Sequence, residues 1–338
     1  MDSLTQFVLG AAVGEAVLGR KAGNKVVLWG GIAGTLPDLD VFISLGDVVK
    51  DFTYHRSASH SLFVLAILTP VMVWLINKIH PASREYKGRW MLMIYLVFTT
   101  HVLLDSFTAY GTQIFWPLST TPVSWSTIFI IDPLYTLPLL VGVIAALVMT
   151  RESSRGHLLN RFGLIASSTY LAWTVFAKAI VEQQVIDELV AQKIDYQKVF
   201  TIPAPFNSLL WRAVVIDEAG YYEAYYSVFD SDGQIRFRHY TSQHELLNGI
   251  EDYWPVKRLQ WFSRGFFSVS LRQTDIVISD LRMGVEPNYA FQFKVGELSN
   301  PHAQPVLPQQ ITAIRDLGIL RPMWRRIWDQ TVKLGPGA

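Results

Sequence analysis

The chain has 338 residues, of which 50% are hydrophobic and only 17% are charged. Soluble domains carry roughly 25% charged residues, so this composition favours a membrane protein. The lipid bilayer is then its expected partner. A formal net charge of +1 and the lack of a basic block argue against a nucleic-acid partner. The chain has no cysteine, so disulfides and thiolate metal sites are excluded, and a transition metal would need His, Asp or Glu ligands.

Six apolar segments predict membrane helices in the first half of the chain. The first two are rich in Gly and Ala, which lets helix backbones approach closely in a bilayer. Both are shorter than the roughly 20 residues of a full span, so we expect them to be tilted, broken or re-entrant. Glu15 lies inside the first segment, and we expect it to pair with a neighbouring helix or face a wet cavity rather than to catalyse. The segments are 7–18, 26–36, 61–79, 90–104, 128–149 and 162–181.

The distribution of Lys and Arg predicts how these segments are oriented. One set of alternate loops holds ten of these residues, whereas the loops at 37–60 and 106–127 hold only Lys50 and Arg56. Since cytoplasmic loops are enriched in positive charge, the basic set is predicted to face the cytoplasm. The 37–60 loop and everything after residue 181 are then predicted to lie on the extracytoplasmic side.

The character of the sequence changes after about residue 190. Short runs rich in aromatic and β-branched residues alternate with turn signals such as the Asp-Ser-Asp-Gly of 230–233, which is typical of antiparallel strands. We therefore predict an α-helical integral membrane domain over 1–185, followed by a small, mainly antiparallel β (α+β) domain over 186–338. Two closing helices are predicted at 309–317 and 323–333. The predicted strands are 211–217, 221–229, 234–240, 266–271, 275–281 and 289–295.

Carboxylates and imidazoles gather at the predicted outer ends of the apolar segments. Charge so close to hydrocarbon is costly unless it is paired, hydrated or bound to a metal. Three motifs supply six nitrogen or oxygen donors, enough for one divalent transition metal with an open water position, or for two ions if carboxylates bridge them. The imidazoles favour Zn, with Mn or Fe as alternatives, over Mg or Ca. The candidate metal ligands are Asp38, Asp40, His55, His60, His101 and Asp105.

Ordinary structural roles remain open for each of these motifs. A His and an Asp four residues apart on a helix are often only hydrogen-bonded, and two Asp residues after a proline are often only a turn. Arg56 could bind an anionic oxygen of a substrate, or it could pair with Asp38, Asp40 or Asp51. Asp40 or Asp105 could act as a general base if it is not itself a ligand. The remaining histidines lack such neighbours and are expected to be incidental: His80, His157, His239, His244 and His302.

These motifs resemble the YdjM-type family of bacterial inner-membrane, metal-dependent hydrolases. The resemblance covers about residues 1–180 and rests on the motifs at 34–40, 55–61 and 101–111. It implies a multi-pass protein of the bacterial inner membrane that holds a metal through the six residues above. Many members of the family carry His at the position of Gln6, whose amide is a poor metal ligand. Asp132 also fits the family pattern, although we first expect it to cap a helix.

The sequence as a whole favours a metal-dependent hydrolase that acts on a phosphoester of a lipid or envelope metabolite. Two alternatives stay open. One is a membrane scaffold or sensor in which the metal only joins helices, and the other is a transporter with the broken first two segments along its path. The sequence does not decide whether Asp2, Gln6 or Asp132 joins the metal site.

Overall fold

The computed structural model describes residues 1–149, 154–231, 235–299, 302–313 and 317–335. The chain forms two compact units: the first is Met1–Ile43 with Tyr54–Thr174, and the second is Ser44–Thr53 with Val175–Ala338. The predicted domain boundary after residue 185 therefore lies inside the second unit.

Helices form at all six apolar segments, and short 3₁₀ helices occur at Pro37–Phe42 and Ala58–His60 in the first unit. Proline starts two of these elements, at Pro37 and Pro133, because it has no N–H to satisfy at the beginning of a helix. The α-helices of the described chain are α1 (Ser3–Ala22), α2 (Lys25–Thr35), α3 (Val48–Tyr54), α4 (Leu62–Ile79), α5 (Lys87–Ser106), α6 (Pro133–Val148), α7 (Ser154–Ala191), α8 (Trp254–Phe262) and α9 (Leu320–Arg326).

The expectation of about six membrane spans is not met by these helices. Among the described residues, only α4 and α7 are both long and apolar enough to cross a membrane. Two of the helices are too short to be spans: α2 has 11 residues and α6 has 16, whereas a span needs roughly 20. The other two helices are long enough, but α1 carries Glu15 and basic residues in its last turn, and α5 carries His101 and Asp105.

Close packing of α1 on α2 depends on glycine, as the small residues predict. A Cβ atom on Gly10 would overlap the carbonyl oxygen of Gly30, and a Cβ atom on Gly30 would overlap the carbonyl oxygen of Gly10. The two backbones therefore touch at a point where no other residue fits. α1 also contacts α5 and α6, so its position governs much of the first unit.

Glu15 pairs with a neighbouring helix, which is one of the two roles expected for it. Its carboxylate contacts Nδ1 of His157 and the amide of Asn160, both on α7. Asn160 also donates to the backbone carbonyl of Ala12 at 2.9 Å. The expectation that His157 is incidental is therefore wrong, because a buried carboxylate needs such partners and no sequence motif joins α1 to α7.

The second unit contains two four-stranded antiparallel sheets and a two-stranded hairpin. One sheet has the strand order β1-β2-β3-β4 and the other the order β10-β9-β6-β5, while β7 pairs with β8. The strands are β1 (Lys198–Pro203), β2 (Leu210–Ile216), β3 (Gly220–Ser227), β4 (Arg238–Thr241), β5 (Phe267–Arg272), β6 (Asp275–Asp280), β7 (Gly284–Val285), β8 (Asn288–Tyr289), β9 (Gln292–Ser299) and β10 (His302–Ile311).

The core of this unit explains why it includes the short segment Ser44–Thr53. Phe52 packs against the rings of Phe262, Phe291 and Phe293, with centroids 4.8, 4.4 and 5.2 Å away. Aromatic pairs at such distances bury apolar area and add specific ring contacts.

The C-terminal helices differ from the sequence prediction. Residues 309–311 of the first predicted helix belong to β10, where Gln309 pairs with Lys294 and Ile311 with Gln292, and residues 314–316 lie outside the described residues. These residues form a strand rather than a helix because they pair with β9, and the local sequence does not reveal that pairing. The second predicted helix is replaced by the shorter α9.

The glycine contact between α1 and α2 makes a prediction about stability. Gly10→Ala should lower the free energy of unfolding by about 1–3 kcal/mol, because the added methyl group forces two helix backbones apart. Gly88→Ala is the matched control, since a Cβ atom there meets nothing within 4 Å. Thermal unfolding of both variants in detergent measures the difference. Equal midpoints for the two variants would contradict the close contact.

Candidate metal centre

Four of the six candidate ligands meet at one place in the first unit. Asp38 lies on the 3₁₀ helix that follows α2, His60 ends the 3₁₀ helix before α4, and His101 and Asp105 lie one turn apart at the end of α5. One donor atom from each residue lies within 4.8 Å of the other three. The four side chains could therefore hold a metal ion.

The spacing of the donor atoms matches a coordination shell. His60 Nε2 lies 3.2 Å from His101 Nε2, 3.1 Å from Asp105 Oδ2 and 3.3 Å from Asp38 Oδ1. His101 Nε2 lies 3.4 Å from Asp105 Oδ2 and 3.8 Å from Asp38 Oδ1. Donors bonded to a tetrahedral ion at about 2.0–2.2 Å are roughly 3.3–3.6 Å apart. A tetrahedral shell would therefore need only small movements of these side chains.

Hydrogen bonds on the far side of each imidazole direct Nε2 toward this point. His101 Nδ1 lies 2.6 Å from the carbonyl oxygen of Gly34, which only accepts, so Nδ1 carries the hydrogen. His60 Nδ1 lies 2.9 Å from the hydroxyl of Ser59, and that hydroxyl donates to Asp40. In the neutral imidazoles both Nε2 atoms would then have lone pairs for a metal, and partners of this kind fix the orientation of metal-binding histidines.

The two oxygens of Asp105 have different surroundings. Oδ1 accepts from the Gln6 amide at 3.0 Å and pairs with Arg56 Nη2 at 3.3 Å, and it also contacts the backbone nitrogen of Met1. Oδ2 is buried, faces the two histidine rings and has no aligned hydrogen-bond donor among the described residues. A buried acceptor without a donor is unfavourable, whereas a cation at this position would satisfy it.

Arg56 is buried next to Asp105 rather than paired with the carboxylates named from the sequence. Its Nη1 donates to the hydroxyl of Thr108 at 3.2 Å, and the guanidinium lies 5.2 Å from the ring centroid of Tyr110. Nε is buried without a partner among the described residues. Only the backbone N–H of Arg56 donates to Asp40, at 3.1 Å.

Asp40 and His55 form a separate pair beside the group of four. Asp40 Oδ1 lies 2.7 Å from His55 Nδ1, and these side chains keep 13% and 21% of their surface exposed. Asp38 is 16% exposed, whereas the side chains of His60, His101 and Asp105 are exposed by 1% or less. The accessible edge of the centre is therefore formed by Asp38, Asp40 and His55.

Electrostatics at this edge keep the carboxylates ionised. Burial would raise the pKa of Asp38, but its hydrogen bond with His60 and the nearby imidazoles lower it to about 2. Burial also opposes ionisation of Asp40, but the bond from His55 lowers the pKa of that carboxyl. For His60, burial disfavours the charged form, yet Asp105 and Asp38 raise its pKa. Ionised carboxylates are the form that binds metal.

Three further polar residues have positioning or structural roles. Gln6 donates to Asp105 and, at 3.2 Å, to the carbonyl oxygen of His101, so its amide orients a candidate ligand. Asp2 caps α1, and Asp132 caps α6 as expected from the sequence. Sequence reasoning missed the role of Ser59 beside His60, because nothing in its position along the chain distinguishes it from Ser57 or Ser61.

The fold and the site describe a protein with a helical first unit, a β-rich second unit and, in the first unit, an Asp and His group that could hold a metal ion. Residues 1–181 match the family described as YdjM inner membrane protein. This match covers more than half of the chain, so the protein belongs to that membrane protein family.

The uncharacterized protein YfhP of Bacillus subtilis (strain 168) is 28% identical over 140 residues, which are 39% of this chain and 42% of that protein. The chain thus matches less than half the length of this relative. No solved structure matches the chain.

The geometry makes a prediction about metal content. His60→Gln and His101→Gln should each abolish stoichiometric Zn uptake, because each removes a donor that no neighbour replaces. Asp40→Asn should keep the stoichiometry but weaken affinity by about 10–100-fold, because Asp40 is not among the four ligands and acts on His60 through the hydroxyl of Ser59. Elemental analysis and competition with a chromophoric chelator measure both quantities.

The control for these variants is His302→Gln, an exposed histidine on β10 outside the centre. It should bind Zn as the wild type does, and circular dichroism should show that all variants remain folded. Unchanged Zn uptake by His101→Gln would contradict the proposed ligand set.

Proposed function

We propose that the protein is a membrane-bound, metal-dependent hydrolase acting on a phosphoester of a lipid or envelope metabolite. The observation that carries this proposal is the set of four donor atoms spaced as in a coordination shell, with an ionisable pair at its accessible edge. Zn is the preferred metal because two imidazoles and two carboxylates suit it, and Mn or Fe would also fit. Asp38, His60, His101 and Asp105 would hold the ion.

A metal bound there would supply a water molecule whose pKa is lowered toward about 7 and would polarise a phosphoryl oxygen. The residues of the chain determine how such chemistry is used. His55 is the best-placed general base, because it is accessible and its Nδ1 is held by Asp40, so Nε2 is free to take a proton. Asp40 then acts by orienting His55 rather than as the base itself.

The other two residues considered for catalysis have enclosed positions. Asp105 has one oxygen occupied by Gln6 and Arg56 and the other facing the imidazoles, which suits a metal ligand and not a base. Arg56 balances the charge of Asp105, and its buried Nε, which has no partner among the described residues, is a donor available to an anionic oxygen.

An amphiphilic substrate is supported by the surface beside Asp38 and Asp40. The same 3₁₀ helix and the residue after it expose large apolar side chains, and Phe42 is 82% exposed. Exposed apolar groups next to a candidate site favour contact with acyl chains over contact with water. These side chains are Leu39, Val41, Phe42 and Ile43.

The proposed location is the inner membrane with the metal centre on its outer side. Family membership supports the membrane itself. The sidedness rests on the basic loops at 19–25, 78–89 and 150–161, which the positive-inside rule assigns to the cytoplasm.

A structural metal is the second candidate function, and one observation favours it. Four protein donors fill a tetrahedral shell, whereas catalytic Zn sites usually have three protein ligands and one open position. In a scaffold or sensor the ion would join α5 to the 3₁₀ helices, and its removal would unfold the first unit.

A hydrolysis assay distinguishes the two candidates. Zn-loaded protein should hydrolyse bis(p-nitrophenyl) phosphate or a fluorescent phospholipid, and chelation should abolish the activity while the helical signal stays. His55→Gln should retain the metal but lower kcat by about 10²–10⁴-fold, as expected for loss of a general base. His302→Gln is again the control.

Full metal occupancy without turnover of any phosphomonoester, phosphodiester or lipid tested, together with unfolding on chelation, would favour the structural metal. The hydrolase proposal would then be wrong.

A further inference from the structure

A cavity of about 670 Å³ lies within the second unit, far along the chain from the metal ligands. Its lining comes from β3, from the start of β4 and the residues just before it, and from the segment that follows α9. This volume is within the roughly 300–1,000 Å³ typical of small-molecule sites. The cavity is therefore large enough for an organic ligand rather than for water alone.

Positive charge dominates the lining. Arg236 and Arg238 line the cavity from the β4 side, and Lys333 lines it from the C-terminal segment. None of these three side chains has a carboxylate partner among the described residues, and all three are exposed. Cations that converge on a cavity without counter-charges attract an anion.

The acidic groups of the lining are already used by other residues. Glu223 is buried and pairs with Arg212. Asp230 holds Arg326 through two bonds of 2.7 and 2.6 Å. The opposite charges within each of these two ion pairs balance. The excess positive charge of the lining therefore comes from Arg236, Arg238 and Lys333.

Aromatic residues provide the remaining surface. Tyr240 lies beneath the guanidinium of Arg238, whose central carbon is 5.9 Å from the ring centroid, and Tyr225 and Phe237 also line the cavity. Burial raises the pKa of Tyr240, so its hydroxyl stays protonated and can donate to an anion. The lining thus combines charged donors with apolar ring faces.

We infer that this cavity binds an organic phosphate, with the phosphate at Arg236, Arg238 and Lys333 and the organic part against the tyrosine and phenylalanine rings. Phosphate suits three cations better than a carboxylate, because it offers more acceptor oxygens and up to two negative charges. The inference does not depend on the metal centre or on its proposed chemistry. The phosphate could belong to a lipid headgroup or to a soluble metabolite.

Calorimetric titration of the full-length protein in detergent tests this inference and separates the two sources. The probes are inorganic phosphate, glycerol 3-phosphate and dihexanoylphosphatidic acid, a lipid short enough to stay in solution. Binding of the lipid alone would assign a headgroup, and comparable binding of glycerol 3-phosphate would assign a soluble ligand. Either result supports a phosphate site.

Variants show whether binding occurs in this cavity. Arg236→Gln combined with Lys333→Gln should weaken binding at least tenfold, because two charge-assisted contacts are lost. Lys193→Gln combined with Arg321→Gln is the matched control, since it removes one exposed lysine and one exposed arginine outside the lining and should leave the affinity unchanged. Metal content and unfolding midpoint should be the same in all of these proteins.

Two results would overturn the inference. One is that no probe binds to the wild type at millimolar concentration. The other is that the two double variants weaken binding equally, which would indicate general attraction between the protein and anions.

Discussion

The buried charge of Asp105 is the constraint on which the polar interior of the first unit depends. An ionised carboxylate removed from water costs several kcal/mol unless partners replace the lost hydration. Gln6 from α1 and Arg56 from the loop before α4 satisfy one oxygen, and the imidazoles of His60 and His101 face the other. Elements distant in sequence are therefore held around one carboxylate. The same arrangement leaves a position beside Asp105 where a cation would balance the negative charge. The surroundings of Asp105 therefore account both for the packing of these elements and for the candidate metal centre.

Much of the metal centre can be predicted from the sequence, for a different reason in each part of the site. His101 and Asp105 are four residues apart in an apolar helix, so helical geometry alone places them on one face. Asp38 and His60 are indicated by their positions next to apolar segments, where unpaired charge is unfavourable. The sequence does not separate them from Asp40 and His55, because side-chain directions in a short loop depend on contacts such as Ser59 with Asp40. The partnership of Glu15 with His157 is hidden for a different reason, because the two residues are 142 positions apart and no sequence motif joins α1 to α7.

The fold, like the site, is predictable where nearby residues determine the structure and not where distant segments must meet. Apolar runs locate the helices, and aromatic and β-branched runs locate β2, β3, β5 and β6, because these patterns act over a few residues. Whether a helix can span a membrane depends on where its ends fall and on the polar residues it carries, and only two of the described helices, α4 and α7, meet both requirements. The segment 309–311 is a strand because of its pairing with β9, and the cavity at Arg236 and Lys333 exists only because distant segments meet.

The most direct test of the account is an anomalous X-ray diffraction map from crystals of the Zn-loaded protein. The account predicts a Zn peak in the first unit at about 2.0–2.2 Å from a donor atom of each of Asp38, His60, His101 and Asp105. A peak bound elsewhere, or no peak at saturating Zn with these four side chains unchanged, would contradict it.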